Sequence, residues 1–353
     1  MTTPTPPAGA STDVVDQVPE NLVLAGDFEA PSYEQWAAEV AKVLNKGRPE
    51  GKQLTSEKAI DRLRTRTVDG LVVEPIYTKQ DAAGELGAPA AVPFTRGTTI
   101  RNGDMDAWDV RALHEDPDIA VTRQAIRTDL ERGANSIWLR VDPDAIAASD
   151  VATSLAEVLL DLAKVDVSSH TDQVGAAEAL LAVFEASGAD KAELSLNLGL
   201  DPIGAAALNG GTPDLSNVSQ WVQRLAGYSK SRAFVVDGTI YHNAGAGDVH
   251  EVAWLLATAV EYVRALVEQG VNVDDAFDSI NFRVTAACDQ VATIARLRAL
   301  RTAWARVGEV FEVSPAKRGA RQHAVTSWRE ITRDDPYVNI LRGTIATFAA
   351  AAG

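Results

Sequence analysis

Residues 280–298 run Ile280-Asn281-Phe282-Arg283-Val284-Thr285-Ala286-Ala287-Cys288-Asp289-Gln290-Val291-Ala292-Thr293-Ile294-Ala295-Arg296-Leu297-Arg298. A short run rich in β-branched and apolar residues is followed, after a polar break, by an amphipathic helical pattern. Runs of the same kind recur at 108–113, 136–141, 164–169, 192–198, 233–237, 280–286 and 321–326. Their starts lie 28 to 47 residues apart, enough for one strand, one helix and two loops. Helical stretches are expected at 152–163, 174–186, 215–227, 249–268, 290–310 and 336–350. Seven β-then-α units argue for a parallel sheet covered by helices, either closed or doubly wound, and periodicity alone does not choose between them.

The 353 residues are 46% hydrophobic and 23% charged, an ordinary globular composition with material for a sizeable core. Thirty-three Lys plus Arg stand against 49 Asp plus Glu, a net charge of −16 that repels phosphate backbones and anionic membrane surfaces. This argues against nucleic acid and membrane partners. Cys288 is the only cysteine, so no internal disulfide forms, which suits a reducing cytoplasm. Neither a basic-then-apolar leader nor an apolar stretch long enough to span a bilayer is present.

Residues 1–30, rich in Thr, Pro, Ala and Asp, read as a flexible acidic tail. A helix capped by Ser32 and a second over 56–65 follow. Residues 71–78 read as extended, and Pro75 demotes them to an edge or a wrapping arm rather than a central strand.

Of five histidines, His114, His170, His242 and His323 fall at the C-terminal ends of expected strands, where the loops of a parallel barrel form one rim. They make either a polar site or four separate loop anchors; His250 lies on a helix. No His-x-His spacing with neighbouring acids supports a metal site, so a metal-dependent barrel hydrolase is a minor alternative. Gly204, Gly210, Gly211, Gly245 and Gly247 follow strands and need do no more than turn the chain. No dinucleotide or Walker pattern is present. Arg96, Arg101 and Arg111 near the barrel entrance, with Arg321 opening the last strand, suit the phosphate or carboxylate groups of an acyl-CoA, or else ion pairing with Asp104, Asp106, Asp109 and Glu115.

Phe94-Thr95-Arg96-Gly97, then Ala320-Arg321-Gln322-His323-Ala324-Val325-Thr326-Ser327-Trp328, then Asp334-Asp335-Pro336-Tyr337-Val338-Asn339, resemble the methylmalonyl-CoA mutase family. Val68-Asp69-Gly70 through Pro75-Ile76-Tyr77-Thr78, Tyr241-His242-Asn243-Ala244-Gly245-Ala246, and Ile294-Ala295-Arg296-Leu297-Arg298-Ala299 with Trp304 are supporting matches, and the resemblance runs from about residue 33 to the end. It implies an α/β fold, the (β/α)8 TIM-type barrel that binds acyl-CoA, with seven strands in this chain and the eighth expected directly after Gly353. The domains so implied are the tail (1–30), an arm wrapping barrel and partner (31–106), and the barrel (107–353), without the family's separate cobalamin-binding domain.

The resemblance also carries residue roles. His242 matches the family's catalytic histidine on the fifth strand, and Thr95, Arg96, Arg111, Arg321, His323 and Ser327 fall at positions for substrate. Two features of catalytic subunits are missing: residues 98–107 contain no Tyr, and the loop Leu198-Gly199-Leu200-Asp201-Pro202-Ile203-Gly204 has an acid where an Arg clamps the substrate carboxylate. No basic residue follows before Arg224, so a desolvated carboxylate would be repelled there. The pattern is similar to the smaller subunit of heterodimeric members. That implies a cytoplasmic, non-catalytic partner of the large catalytic subunit, with adenosylcobalamin in the holoenzyme and none bound by this chain alone. The rival is an active isomerase that binds acyl-CoA and uses His242 with Arg321.

Overall fold

The computed structural model describes Gly26, residues 29–82, Gly84, 86–100 and 108–353. Most of the tail, together with Arg101, Asp104 and Asp106, lies outside these residues. The chain forms two compact units, one ending at Ala82 and one beginning at the following residue.

In the first unit, α1 (Tyr33–Asn45) starts in a reciprocal capping box between Ser32 and Gln35, and α2 (Ser56–Leu63) is capped by the Thr55 side chain. The two helices pack together. Thr65–Arg66 (β1) and Val72–Val73 (β2) form a two-stranded antiparallel ribbon that stops short of Pro75.

The second unit contains β3 (Arg111–His114), α3 (Ile119–Glu131), β4 (Ser136–Arg140), α4 (Val151–Ser154), β5 (Lys164–Ser168), α5 (Gln173–Ala186), β6 (Leu196–Leu200), α6 (Pro202–Asn209) and α7 (Ser219–Arg224). It continues with β7 (Arg232–Asp237), α8 (Thr239–Asn243), α9 (Asp248–Glu268), α10 (Val273–Asp278), β8 (Ile280–Ala286), α11 (Gln290–Val310), β9 (Gln322–Thr326) and α12 (Val338–Ala352). β3 to β9 form one parallel sheet in chain order.

The sheet is curled, and Trp138 proves it. In a flat sheet β4 and β9 would lie five strand spacings, about 24 Å, apart. Instead the Trp138 ring meets the His323 ring edge-on at 5.3 Å. The fold is therefore a TIM-type (β/α) barrel with seven strands among the described residues. Gly199 allows β6 to fit into it. Its φ is +67°, and a Cβ there would fall 1.8 Å from the Val167 carbonyl oxygen, so the register shift in β6 demands glycine.

Helices pack on the outer face of the sheet. Trp304 of α11 stacks on Phe277 at 4.0 Å and meets Phe282 of β8 edge-on at 5.0 Å, while Tyr262 of α9 stacks on Phe234 of β7 at 5.3 Å. No described helix is long and apolar enough to cross a membrane.

Several helices differ from the sequence pattern. The stretch expected at 152–163 is helical only over α4. Beyond it, successive tight turns (Val158 N–H to the Leu155 carbonyl, Leu162 N–H to the Leu159 carbonyl) carry the chain to β5. The helix expected at 215–227 shrinks to α7: Asp214 holds Ser216 in a turn before it, and after the C-cap Leu225 the chain turns through Gly227, at φ +91°. α3 has too polar a sequence to stand out, burying only Thr122 and Ile126. The rim helices α6 and α8 are too short to show a helical period.

Candidate functional site

Parallel strands place their C-terminal ends on one rim, and the rim is set first by helix caps. The side chains of Asp118, Asp172, Asp201 and Asp289 each accept N–H bonds at the start of the helix that follows a strand. The mouth is acidic because carboxylates start the helices there.

Below the rim lies a cavity of about 200 Å3 lined by residues including Leu113, Trp138, Arg140, His170, Asp201, Asp237, Arg283, Thr285 and Val325. Ligand pockets for drug-sized molecules usually span about 300–1,000 Å3. The space is limited from below by Trp138, whose Nε1 donates to Ser168 Oγ at 2.7 Å and whose ring carries the Arg283 guanidinium at 4.1 Å. His323, the register partner of Arg283, completes that layer.

Charges along the axis are paired. Arg111 bonds Ser136 Oγ at 2.7 Å and pairs with buried Asp166, which also accepts from Asn197 at 2.5 Å. Arg283 donates to Asp237 at 2.7 Å. Arg140 is shared among Glu115, Asp142 and Asp144 at 2.7, 3.1 and 2.9 Å. Burial first, then the Arg111 and Arg283 cations, holds the His323 imidazole well below its usual pKa, so the ring is neutral.

Asp201 occupies the loop after the fourth barrel strand. Its carboxylate accepts from Tyr262 OH at 2.5 Å and from the Asp237 and Gly204 N–H groups, each at 3.0 Å. Burial nevertheless pushes its pKa up to about 6. The next basic residue, Arg224, sits on α7, where it pairs with Glu178 and stacks near Trp221.

The four histidines do not meet. His114 ends β3 and points toward Asp129 of α3, at 3.7 Å. His170 lines the mouth and is half exposed. His323 is the second residue of β9 and lies inside the barrel rather than on the rim. His242 sits on α8, its Nε2 2.8 Å from Ser327 Oγ and its Nδ1 3.6 Å from Glu251. Fully buried Glu251 also bonds Arg296 at 2.8 Å and the Thr285 N–H at 2.8 Å. This network ties α8, α9, α11 and β8 together.

The remaining sequence-derived positions are dispersed. Thr95 Oγ1 is 2.8 Å from Thr302 Oγ1, and its carbonyl accepts from Arg301. Arg96 is exposed. Arg321 precedes β9 at the N-terminal end of the barrel, paired with Asp278 at 2.7 Å, whereas His242 follows β7 at the opposite end. Among the described residues no group of three or more His, Cys, Asp or Glu side chains is arranged to hold a metal ion.

Residues 66–353 match the family model described as "Methylmalonyl-CoA mutase". The chain belongs to the methylmalonyl-CoA mutase family. It is 61% identical over 342 residues to the methylmalonyl-CoA mutase small subunit of Propionibacterium freudenreichii subsp. shermanii, covering 97% of this chain and 54% of that protein. The small subunit from Streptomyces virginiae is 40% identical over 336 residues, covering 95% and 54%. The methylmalonyl-CoA mutase of Escherichia coli (strain K12) is 24% identical over 340 residues, covering 84% and 46%. The chain thus spans about half the length of the curated relatives it matches.

The sequence reading passed over Trp138, Arg140, Asp237, Arg283 and Glu251. One signal was available for Arg283: in 280–286 polar residues alternate with apolar ones, so Asn281, Arg283 and Thr285 share the inner face. Nothing local distinguishes Glu251, whose partners come from other elements.

Proposed function

We propose that this chain is the smaller subunit of a heterodimeric, adenosylcobalamin-dependent methylmalonyl-CoA mutase, which interconverts methylmalonyl-CoA and succinyl-CoA, and that it is itself non-catalytic. It stabilises the large catalytic subunit in the cytoplasm. The arm over 31–106 and the tail wrap that partner, and residues 107–353 supply a barrel of the same kind.

One observation carries this reading: below the mouth cavity the axis is closed. Trp138, Arg283 and His323 close it at one level, and the guanidiniums of Arg111 and Arg283 already face acids. Beside that layer, the loop after β6 presents buried Asp201 where a substrate carboxylate would need a cation. With His242 and Arg321 at opposite ends of the barrel, the active-isomerase alternative lacks a shared site.

The mouth does not fit the cofactor either. A cavity of about 200 Å3 does not admit a corrin. In the holoenzyme the group would supply radical chemistry from elsewhere, and this chain's residues are assigned no step with it.

A partner surface is available on α12, where Tyr337 beside its first turn, Ile340, Leu341 and Phe348 are 79, 66, 64 and 59% exposed. Calorimetry of the chain with methylmalonyl-CoA and with succinyl-CoA tests the reading: no saturable binding is expected, while the chain co-elutes with a catalytic subunit. Tight stoichiometric thioester binding would overturn it.

A further inference from the structure

Asp201 is a buried charge held by neutral groups. It is 4% exposed and lines the mouth cavity, yet its carboxylate accepts only from the Tyr262 O–H and the Gly204 N–H on Oδ1 and from the Asp237 N–H on Oδ2. The cations of the wall are committed elsewhere. Arg283 donates to Asp237, Arg140 is shared among Glu115, Asp142 and Asp144, and His170 lies 3.9 Å from Asp142. Among the described residues no cation pairs with Asp201. Burial raises its pKa only to about 6, so above that pH the charge is present.

A buried ion without a counter-ion is costly, and a cation in the adjoining cavity offsets that cost. The wall offers such a cation a place to bind. A carboxylate has roughly four acceptor sites. On Asp237, Arg283 and the Thr239 N–H and hydroxyl occupy three of them, which leaves one. Asp237 also lines the cavity and is the more accessible of the two acids, its side chain 16% exposed. Away from the acids the cavity is apolar, walled by Leu113, Trp138, Val235 and Val325, with the exposed side chains of Leu208 and Trp328 at its edge.

We infer that the mouth of this barrel is a binding site for a short-chain primary ammonium ion. Its N–H donors take the remaining acceptor site of Asp237, within the field of Asp201, and its hydrocarbon end lies against Leu113, Trp138 and Val325. The cavity of about 200 Å3 is smaller than the about 300–1,000 Å3 of sites for drug-sized ligands, which suits a chain of a few carbons. This site is independent of the reading above, because it takes free amines, whereas that reading is tested with thioesters.

The test is calorimetric titration of the full chain with n-butylammonium chloride at constant ionic strength. Butan-1-ol serves as the neutral arm, sodium butyrate as the anionic arm and sodium chloride as the inorganic arm. Saturable one-to-one binding is expected for n-butylammonium alone. Asp201→Asn, which removes the charge and keeps the shape, should weaken it about tenfold or more with an unchanged circular dichroism spectrum. Ala205→Leu keeps every charge, fills the cavity from α6 and should weaken it as well. The second variant leaves the Asp201 hydrogen bonds in place, so it reads occupancy of the cavity even where the first is destabilised. Butan-1-ol, butyrate or sodium binding as tightly as n-butylammonium, no saturable heat with the amine, or unaffected binding in Ala205→Leu would overturn the proposal.

Discussion

On β8, Phe282 turns outward into the Trp304 and Phe277 stack, while Arg283, one residue on, turns inward to Asp237 and the Trp138 ring. The same contrast recurs on β7, where Phe234 stacks outward on Tyr262 and Asp237 faces the axis. Outside, the sheet is sealed by aromatic and aliphatic contacts that gain free energy from area alone. Inside, it is sealed by ions and hydrogen bonds whose net contribution is small but whose removal one partner at a time is expensive. The outer face accounts for stability, and the inner face determines what can enter.

If that division is right, the largest single effect should come from the outer layer. Trp304 is 1% exposed and touches two aromatic partners, so Trp304→Ala should cost about 3–5 kcal/mol. Urea denaturation followed by circular dichroism measures it. A loss under about 1 kcal/mol would mean that the axis, and not the helix layer, holds the barrel together.

The two faces were also unequally legible. Strand positions followed from runs such as 280–286, which the structure reproduces as β8, and the 290–310 pattern reappears as α11. The outer layer is a local property: one apolar stripe per helix and one apolar face per strand. The inner face is not. Trp138 reaches His323 only because five strand spacings have been curled away, and Arg111 finds Asp166 55 residues further on. His242 carried a family motif but no sign that Glu251 and Ser327 would flank it. Asp201 was visible as an acid in the wrong place for a carboxylate clamp, although its burial was not.

Asp201 sharpens the contrast at intermediate size, because it is an inner-face group whose charge costs stability. With its pKa at about 6 in the fold and 3.8 as the reference value, the unfolded chain releases the proton first as pH rises. Stability from this group is therefore present below about pH 4 and lost as pH rises through about 6, by on the order of 2–3 kcal/mol. Asp201→Asn removes the titration. The stability difference between parent and variant, measured in urea at pH 4 and pH 7, should move in the variant's favour by that amount. At every pH, a fixed penalty of about 1–3 kcal/mol accompanies the substitution, since one amide N–H2 must face the Asp237 N–H or the Gly204 N–H and Tyr262 O–H donors. A pH-independent difference would mean that the three donors keep the carboxylate ionised despite its burial.

His242 should give the smallest effect, and for that reason it discriminates best. A histidine that moves a proton in the rate-limiting chemistry is worth about 10²–10⁴ in rate. Here the ring lies between Ser327 and Glu251, and neither it nor those two partners is among the residues lining the mouth cavity. His242→Gln keeps a hydrogen-bonding group near Ser327 and, in a heterodimer reconstituted as proposed, should leave turnover within about twofold of the parent, well below the acid–base range. Its measurable consequence should be thermal, a lowered unfolding midpoint from the weakened link between α8 and the segment after β9. A hundredfold fall in turnover with an unchanged midpoint would reverse the assignment. It would mean that the His242 network still takes part in the chemistry.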